Sequence, residues 1–192
     1  RSLGIDMIIC DHHQPPATLP NAYAILDALQ PDCNYPFKSL CGTGVAFKLI
    51  QAVCKKLELN DWQSLLDFVA VATAADMVPV IDENRTLISY GFKQILNNPR
   101  PSFATIFKNS SLKLEHITTS NVVFTIGPRI NAVGRLGDAT RAVKFLTSKS
   151  IAEAEELMSV LEKENSNRKK IDSEIYLQAQ SSYETYKVNS IN

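Results

Sequence analysis

The feature that most restricts the fold is a short apolar run that stops on three ionisable side chains. Ile5-Asp6-Met7-Ile8-Ile9-Cys10 is largely β-branched and apolar, Asp11-His12-His13 follows it directly, and Gln14-Pro15-Pro16 comes next. A run of that length and type reads as a buried strand, and the paired prolines read as the loop that leaves the sheet. The triplet therefore belongs at the carboxyl end of a strand. In open α/β sheets that edge gathers side chains from several strand ends and the loops after them, and ligands bind there. Tyr23 to Leu29 reads as a second short strand.

The rest of the chain is dominated by helical spacing, so the expected class is α/β, a parallel sheet flanked by helices. Val45, Leu49, Val53 and Leu57 recur every fourth residue with Ala46 and Ile50 alongside, which predicts an amphipathic helix over 44–57 opened by Cys41-Gly42-Thr43-Gly44. A second helix, from Trp62 to Ala75, is apolar nearly all round and should be buried on most faces. Pro79 ends that pattern, and Asn84 to Leu96 reads as a third helix. Residues 97–116 read as a connection with a short helix, and 122–126 lead through a turn at Gly127-Pro128 into 129–137. Asp138 can cap a helix ending near Leu146, and Ser150-Ile151-Ala152-Glu153 matches a capping box that opens a long helix reaching about Tyr186. Because Glu162 to Lys170 is almost wholly polar, that helix is expected to serve as a connector after residue 148.

At 192 residues and 45% hydrophobic content the chain can bury a substantial core. No apolar run approaches the roughly 18–20 residues of a membrane span, and no basic-then-apolar leader opens the chain, so a cytoplasmic protein without a membrane partner is expected. The opening Arg1-Ser2-Leu3-Gly4, set directly before a buried-looking strand, reads as a cut inside a larger unit. Cys10, Cys33, Cys41 and Cys54 show no C-x-x-C spacing and are expected to be reduced structural thiols. Net charge is zero, yet residues 99–149 hold eight Lys/Arg against two Asp/Glu. A basic segment of this kind is the footprint of a phosphate-rich partner or, equally, a solvated face.

Four groups of residues could carry chemistry. Asp11-His12-His13 offers imidazoles suited to Mn, Zn or Fe and a carboxylate that can orient a ring or bind metal, although such a triplet also occurs on ordinary surfaces. Asp76, after the apolar helix, must be neutralised, paired or metal-bound; the plain alternative is pairing with an arginine. Gly42, Thr43 and Gly44 could present helix-opening N–H groups to a phosphate or simply make a tight turn. Arg129, Asn131 and Arg135 sit among Gly127, Pro128, Gly134 and Gly137, a setting for forked phosphate hydrogen bonds or for structural ion pairs. His116 stands alone in a polar context, and Trp62 reads as core or surface cover rather than a base-stacking platform.

In order along the chain, Ile8-Ile9-Cys10-Asp11-His12-His13-Gln14-Pro15-Pro16, Leu40-Cys41-Gly42-Thr43-Gly44-Val45-Ala46-Phe47-Lys48-Leu49, Ala72 to Val80 with Glu83-Asn84-Arg85, and Gly127 to Ala139 resemble the RecJ single-stranded-DNA-specific exonucleases of the DHH phosphoesterase superfamily. The likeness runs from residue 1 to about 180. It implies the C-terminal part of a DHH-type catalytic domain over 1–148 and a connector helix over 149–192, leading to a second domain. It further implies a two-metal site for Mn²⁺ or Mg²⁺ with His12 and Asp76 as ligands, Asp11 orienting the site, His13 facing the scissile phosphate, and Arg129, Asn131 and Arg135 near the bound strand. The implied chemistry is in-line attack by metal-activated water on single-stranded DNA, removing nucleotides 5′-to-3′ in repair and recombination. The family places two further aspartate motifs ahead of the triplet, so the chain alone is expected to be nearly inactive and to bind metal weakly. A bare sheet edge would favour self-association. The rival readings are a DHH phosphoesterase acting on oligonucleotides, cyclic dinucleotides or pyrophosphate, and a non-catalytic DHH-fold replication scaffold; His12 and Asp76 together speak against the scaffold.

Overall fold

The apolar run at the start does form a strand, shorter than the run itself and not buried as expected, since Ile5, Met7 and Ile8 are exposed. The structure is a computed structural model that describes residues 3–110, 117–136 and 138–189, with the side chains of 133–136, 185 and 187–189 left aside. Strands β1 (Ile8–Cys10) and β2 (Ala24–Leu26) run parallel, with Ile8 opposite Ala24, Ile9 opposite Ile25 and Cys10 opposite Leu26. The Asp11 N–H donates to the Leu26 carbonyl at 3.0 Å and carries the pairing one residue past the strand. Asp11 is thereby fixed at the strand's carboxyl end, and the histidines fall in the loop beyond. The second strand ends sooner than its sequence pattern predicts because the Asp27 carboxylate accepts the Leu29 N–H at 2.8 Å, a local turn that competes with pairing.

The chain divides into two units, Arg1–Pro99 with Leu112–Phe124, and Arg100–Ser111 with Thr125–Asn192. In the first, α1 (Gly42–Lys56) starts two residues before its expected position, since Cys41 is extended and its Sγ accepts the Gly44 N–H at 3.4 Å as a cap. The helix expected to begin at Trp62 instead opens with a tighter 3₁₀ turn at Asp61–Leu65, and α2 (Leu66–Ala75) follows. Such turns are frequent at helix starts, and here the Ser64 hydroxyl ties back to the Asp61 carbonyl at 2.6 Å. Helix α2 is buried on nearly every face, as its composition predicts, with Val69, Ala70, Thr73 and Ala74 at 4% exposure or less. Helix α3 (Asp82–Asn97) lies so near it that a methyl group added at Gly91 would sit 2.1 Å from the Leu66 carbonyl oxygen. Leu40, Val45, Phe47, Val69 and Leu87 form the core of this unit, and Cys10, Leu26 and Trp62 pack on it. One core thus anchors the end of β1, the start of α1 and the body of α2. A capped turn, α5 (Thr119–Asn121), also belongs to this unit.

The second unit is helical. Helix α4 (Pro101–Lys108), α6 (Gly127–Leu136), α7 (Thr140–Leu146) and the first half of α8 (Ile151–Asn189) bury Phe103, Ile106, Phe107, Ile126, Phe145, Ala154, Met158 and Leu161. The turn expected at Gly127-Pro128 is not a turn: a wide π segment over Val122–Ile126 continues into α6. Pro128 stands just past the π segment, and the irregular bonding there accommodates a residue with no N–H to give. Asp138 stands one residue before the cap position, Ala139, and accepts the Thr140 N–H at 2.9 Å from there. At the start of α8 the Ser150 hydroxyl accepts the Glu153 N–H, and the Glu153 carboxylate reaches one residue farther back, to the Lys149 N–H. From Lys169 to Glu184 every residue of α8 is exposed. No described helix is long and apolar enough to cross a membrane.

Candidate metal centre

Asp11 organises the loop that follows β1 through a single oxygen. Its Oδ1 accepts the N–H of His12 at 2.7 Å, the N–H of His13 at 3.2 Å and the His13 ring nitrogen Nδ1 at 2.7 Å. The ring hydrogen bond first, and then the two backbone N–H groups, hold the Asp11 carboxyl down to about 2. The same bond, followed by the carboxylate's charge, raises the His13 pKa above its ordinary value. An ionised carboxylate can only accept, so the Nδ1 of His13 carries the proton. That leaves Nε2 on the outward edge of a ring that is 77% exposed.

His12 turns the opposite way. Its side chain is 19% exposed, and Nε2 lies 3.4 Å from Oδ2 of Asp76. The ring's Cδ2 is 3.5 Å from the place a side chain on Gly42 would begin, so α1 starts within ordinary van der Waals reach of His12. Asp76 follows the last turn of α2, its N–H bonded to the Ala72 carbonyl at 2.9 Å, and the chain then turns sharply through Met77 at φ 57°. A carboxylate at a helix C-terminus meets the negative end of the dipole. The position suits a carboxylate that shares a cation better than one that only ends a helix.

The donor set fits a divalent ion. Two ligands each about 2.1 Å from one metal stand roughly 3.0–3.4 Å apart, and the His12–Asp76 separation of 3.4 Å falls in that span. Imidazole with carboxylate is a combination that Mn²⁺ accepts readily. Among the described residues no group of three or more His, Cys, Asp or Glu side chains converges, and His12 and Asp76 are brought together as a pair.

The other sequence candidates separate cleanly. The Gly44 N–H is occupied by Cys41 Sγ, while Gly42 lies beside His12. Arg129 is 16% exposed, donating from Nε to Glu162 and from Nη1 to the Thr125 carbonyl, which is the structural pairing left open above. Asn131 is exposed on α6. The side chain of Arg135, together with Gly137 and His116, lies outside the described residues. Trp62 packs edge-on against Phe47 with ring centroids 5.8 Å apart, and the four cysteines are free, as expected. Two supports went unforeseen. Glu83 joins Tyr35 Oη at 2.7 Å and Lys48 Nζ at 2.9 Å, and the amide of buried Asn84 bridges two loop carbonyls. All but the Asn84–Pro79 bond join segments far apart in sequence, and although Glu83-Asn84-Arg85 belongs to a block that carries the resemblance, neither periodicity nor spacing assigns these partners.

The strand-end Asp-His-His lies against a carboxylate at the end of a buried helix, on a parallel α/β frame, and residues 1–73 of the chain match the model of the DHH family, N-terminal domain. The likeness is to RecJ. The chain is 40% identical over 175 residues to the single-stranded-DNA-specific exonuclease RecJ of Bacillus subtilis (strain 168), covering 91% of this chain and 22% of that protein. It is 38% identical to RecJ of Escherichia coli (strain K12), covering 93% and 33% respectively. It superposes on RecJ of Thermus thermophilus in complex with Mn²⁺ with a TM-score of 0.81 and 30% identity, over 92% of this chain and 26% of that one. The chain thus spans between about a fifth and a third of the length of these curated relatives.

Proposed function

We propose that the chain supplies part of the active centre of a metal-dependent exonuclease that removes nucleotides from single-stranded DNA 5′-to-3′, acting in DNA repair and recombination in the cytoplasm. The observation that carries this reading is the 3.4 Å approach of His12 Nε2 to Asp76 Oδ2, between segments far apart in sequence. The likeness to RecJ exonucleases and to their Mn²⁺- and Mg²⁺-bound structures supports it. When bound, Mn²⁺ or Mg²⁺ supplies Lewis acidity, making water nucleophilic at neutral pH and offsetting charge on the leaving oxygen.

The chain's own residues do the rest. His12 and Asp76 would hold the ion, and Asp11 fixes the ring of His13 with Nε2 on its outward edge, where it could meet a phosphate oxygen. The raised pKa of His13 favours the protonated ring, which can donate to that oxygen and hold its proton there. Gly42, Thr43 and Gly44 form the backbone beside the ligand pair, and Arg129, Asn131 and Arg135 contact the strand's phosphates. Arg129 enters with its charge already shared with Glu162. Residues 1–148 act as catalytic-domain sequence and 149–192 as a connector whose connecting part is the exposed stretch from Lys169. Among the described residues two donors converge, too few for two ions, so the 192-residue chain alone is expected to bind metal weakly, cleave little, and self-associate through the outer edges of its two-strand sheet.

The test is made in the whole protein that contains this chain. End-labelled single-stranded DNA should be shortened with Mn²⁺, and His12→Ala or Asp76→Ala should each lower the rate by roughly 100-fold or more. Full activity in either variant would remove the reading. Robust Mn²⁺-dependent degradation by the 192-residue chain itself would overturn the claim that its ligand set is partial.

A further inference from the structure

Asn84 is fully buried in the first turn of α3. Its Nδ2 spends both hydrogens on loop carbonyls from different parts of the chain, that of Ser39 at 2.7 Å and that of Pro79 at 2.9 Å. The Ser39 loop runs straight into Leu40 and Cys41, the cap of α1, and so into Gly42 against the ring of His12. The Pro79 loop is the segment that leaves Asp76, bounded by the positive φ angles of Met77 (57°) and Asp82 (42°). One amide therefore joins the loop that walls His12 to the loop that carries Asp76. Its Oδ1 is buried with no hydrogen-bond partner among the described residues. An amide kept in the core with an unmet acceptor is there for its two donors, because an apolar side chain of similar size would fill the space without that cost.

We infer that Asn84 is a positioning residue for the metal centre: by tying the Ser39 and Pro79 carbonyls together it sets the spacing of His12 and Asp76. The neighbouring Glu83, held by Lys48 of α1 and by Tyr35, braces the same turn against α1 but reaches neither loop carbonyl. The spacing therefore depends on Asn84 in a way that the ion pair cannot replace. The inference rests on the metal-ligand reading of His12 and Asp76, and its test is chosen to run without metal or activity.

The test uses the isotopically labelled 192-residue chain, free of metal, and reads the His12 Nε2 nitrogen resonance. Asp76→Asn provides the resonance of a broken pair. Asn84→Ala should move His12 most of the way to that position, and Ile95→Ala, a buried change elsewhere on α3 with a comparable fall in Tm, should leave it in place. Should Asn84→Ala not fold, Asn84→Ser, whose hydroxyl is too short to span both carbonyls, is read instead. Manganese affinity of the whole protein should fall roughly tenfold in the Asn84 variant and be unaffected in Ile95→Ala. An unmoved His12 resonance, an equal shift in the Ile95 control, or loss of folding in both Asn84 variants would overturn the proposal and leave Asn84 a stability residue. If wild type binds no manganese, the metal reading fails by itself, and the His12 resonance still decides whether Asn84 sets the spacing.

Discussion

Asp11 controls both of its neighbours although neither histidine faces the same way. One oxygen accepts the two backbone N–H groups and the His13 ring, and the charge on that oxygen separates the two titrations. The Asp11 pKa is depressed from 3.8 to about 2, so its contribution to stability is present above 3.8 and is lost as pH falls toward 2. The His13 pKa is raised from 6.5, so its contribution is present below 6.5 and is lost as pH rises through the raised value. The pair stabilises the loop fully only between those two ordinary values. Asp11→Asn keeps an acceptor but removes the charge, and His13 should then titrate close to an ordinary imidazole; a metal-free NMR titration of its ring protons checks this. A titration unchanged from wild type would separate His13 from Asp11. The triplet was legible in the sequence because its chemistry is contiguous. Arg129 was not, because the carboxylate that engages it, Glu162, lies on another helix and either outcome fits the same local pattern.

Among the elements, α2 and α3 bear most directly on the centre, since Asp76 ends one and Asn84 begins the other. Their closest approach is at Gly91, where an added Cβ would stand 2.1 Å from the Leu66 carbonyl oxygen and 2.4 Å from the Ala70 Cβ. Neither neighbour can rotate away, so Gly91→Ala must push the helices apart. Overpacking of this kind costs about 1–3 kcal/mol, more where backbone must shift, which is a fall in Tm of at least several degrees for a unit of this size. Urea unfolding followed by Trp62 fluorescence measures it, and a variant as stable as wild type would contradict the close crossing. The helices themselves were legible from apolar spacing, and α2's burial from its all-round apolar composition. The 3₁₀ turn before α2 and the π segment before α6 were not, because backbone hydrogen bonds of either kind carry the same residues. Pro128 read as a breaker because a proline removes a helical hydrogen bond, and its place directly after the π segment could not be read from the residues alone.

For the molecule as a whole, the polar stretch of α8 tests how far charge patterns can be read. Glu162 to Lys170 suggested a solvated bridge, yet Asn165 is buried, and Glu162 and Glu164 meet Arg129 and Arg141, as Glu155 meets Lys108. Three cations of the basic segment are thus balanced by one acidic helix, a cancellation that a residue count along the chain cannot reveal. The first half of α8 is core of the second unit, and only the later half is free of it. This makes the stability of the two units separable by experiment. The sequence has a single tryptophan, Trp62, which packs on Phe47 in the first unit, whereas Leu161 is fully buried in the second. Leu161→Ala should cost about 2–5 kcal/mol where it sits. The long α8 contributes heavily to the helical circular dichroism, so that signal should be lost at lower temperature in the variant, while the Trp62 fluorescence midpoint stays near the wild-type value. Non-coincident transitions of this kind would mean two cooperative units; equal displacement of both signals would mean that the unit holding His12 and Asp76 draws its stability from the helical unit as well.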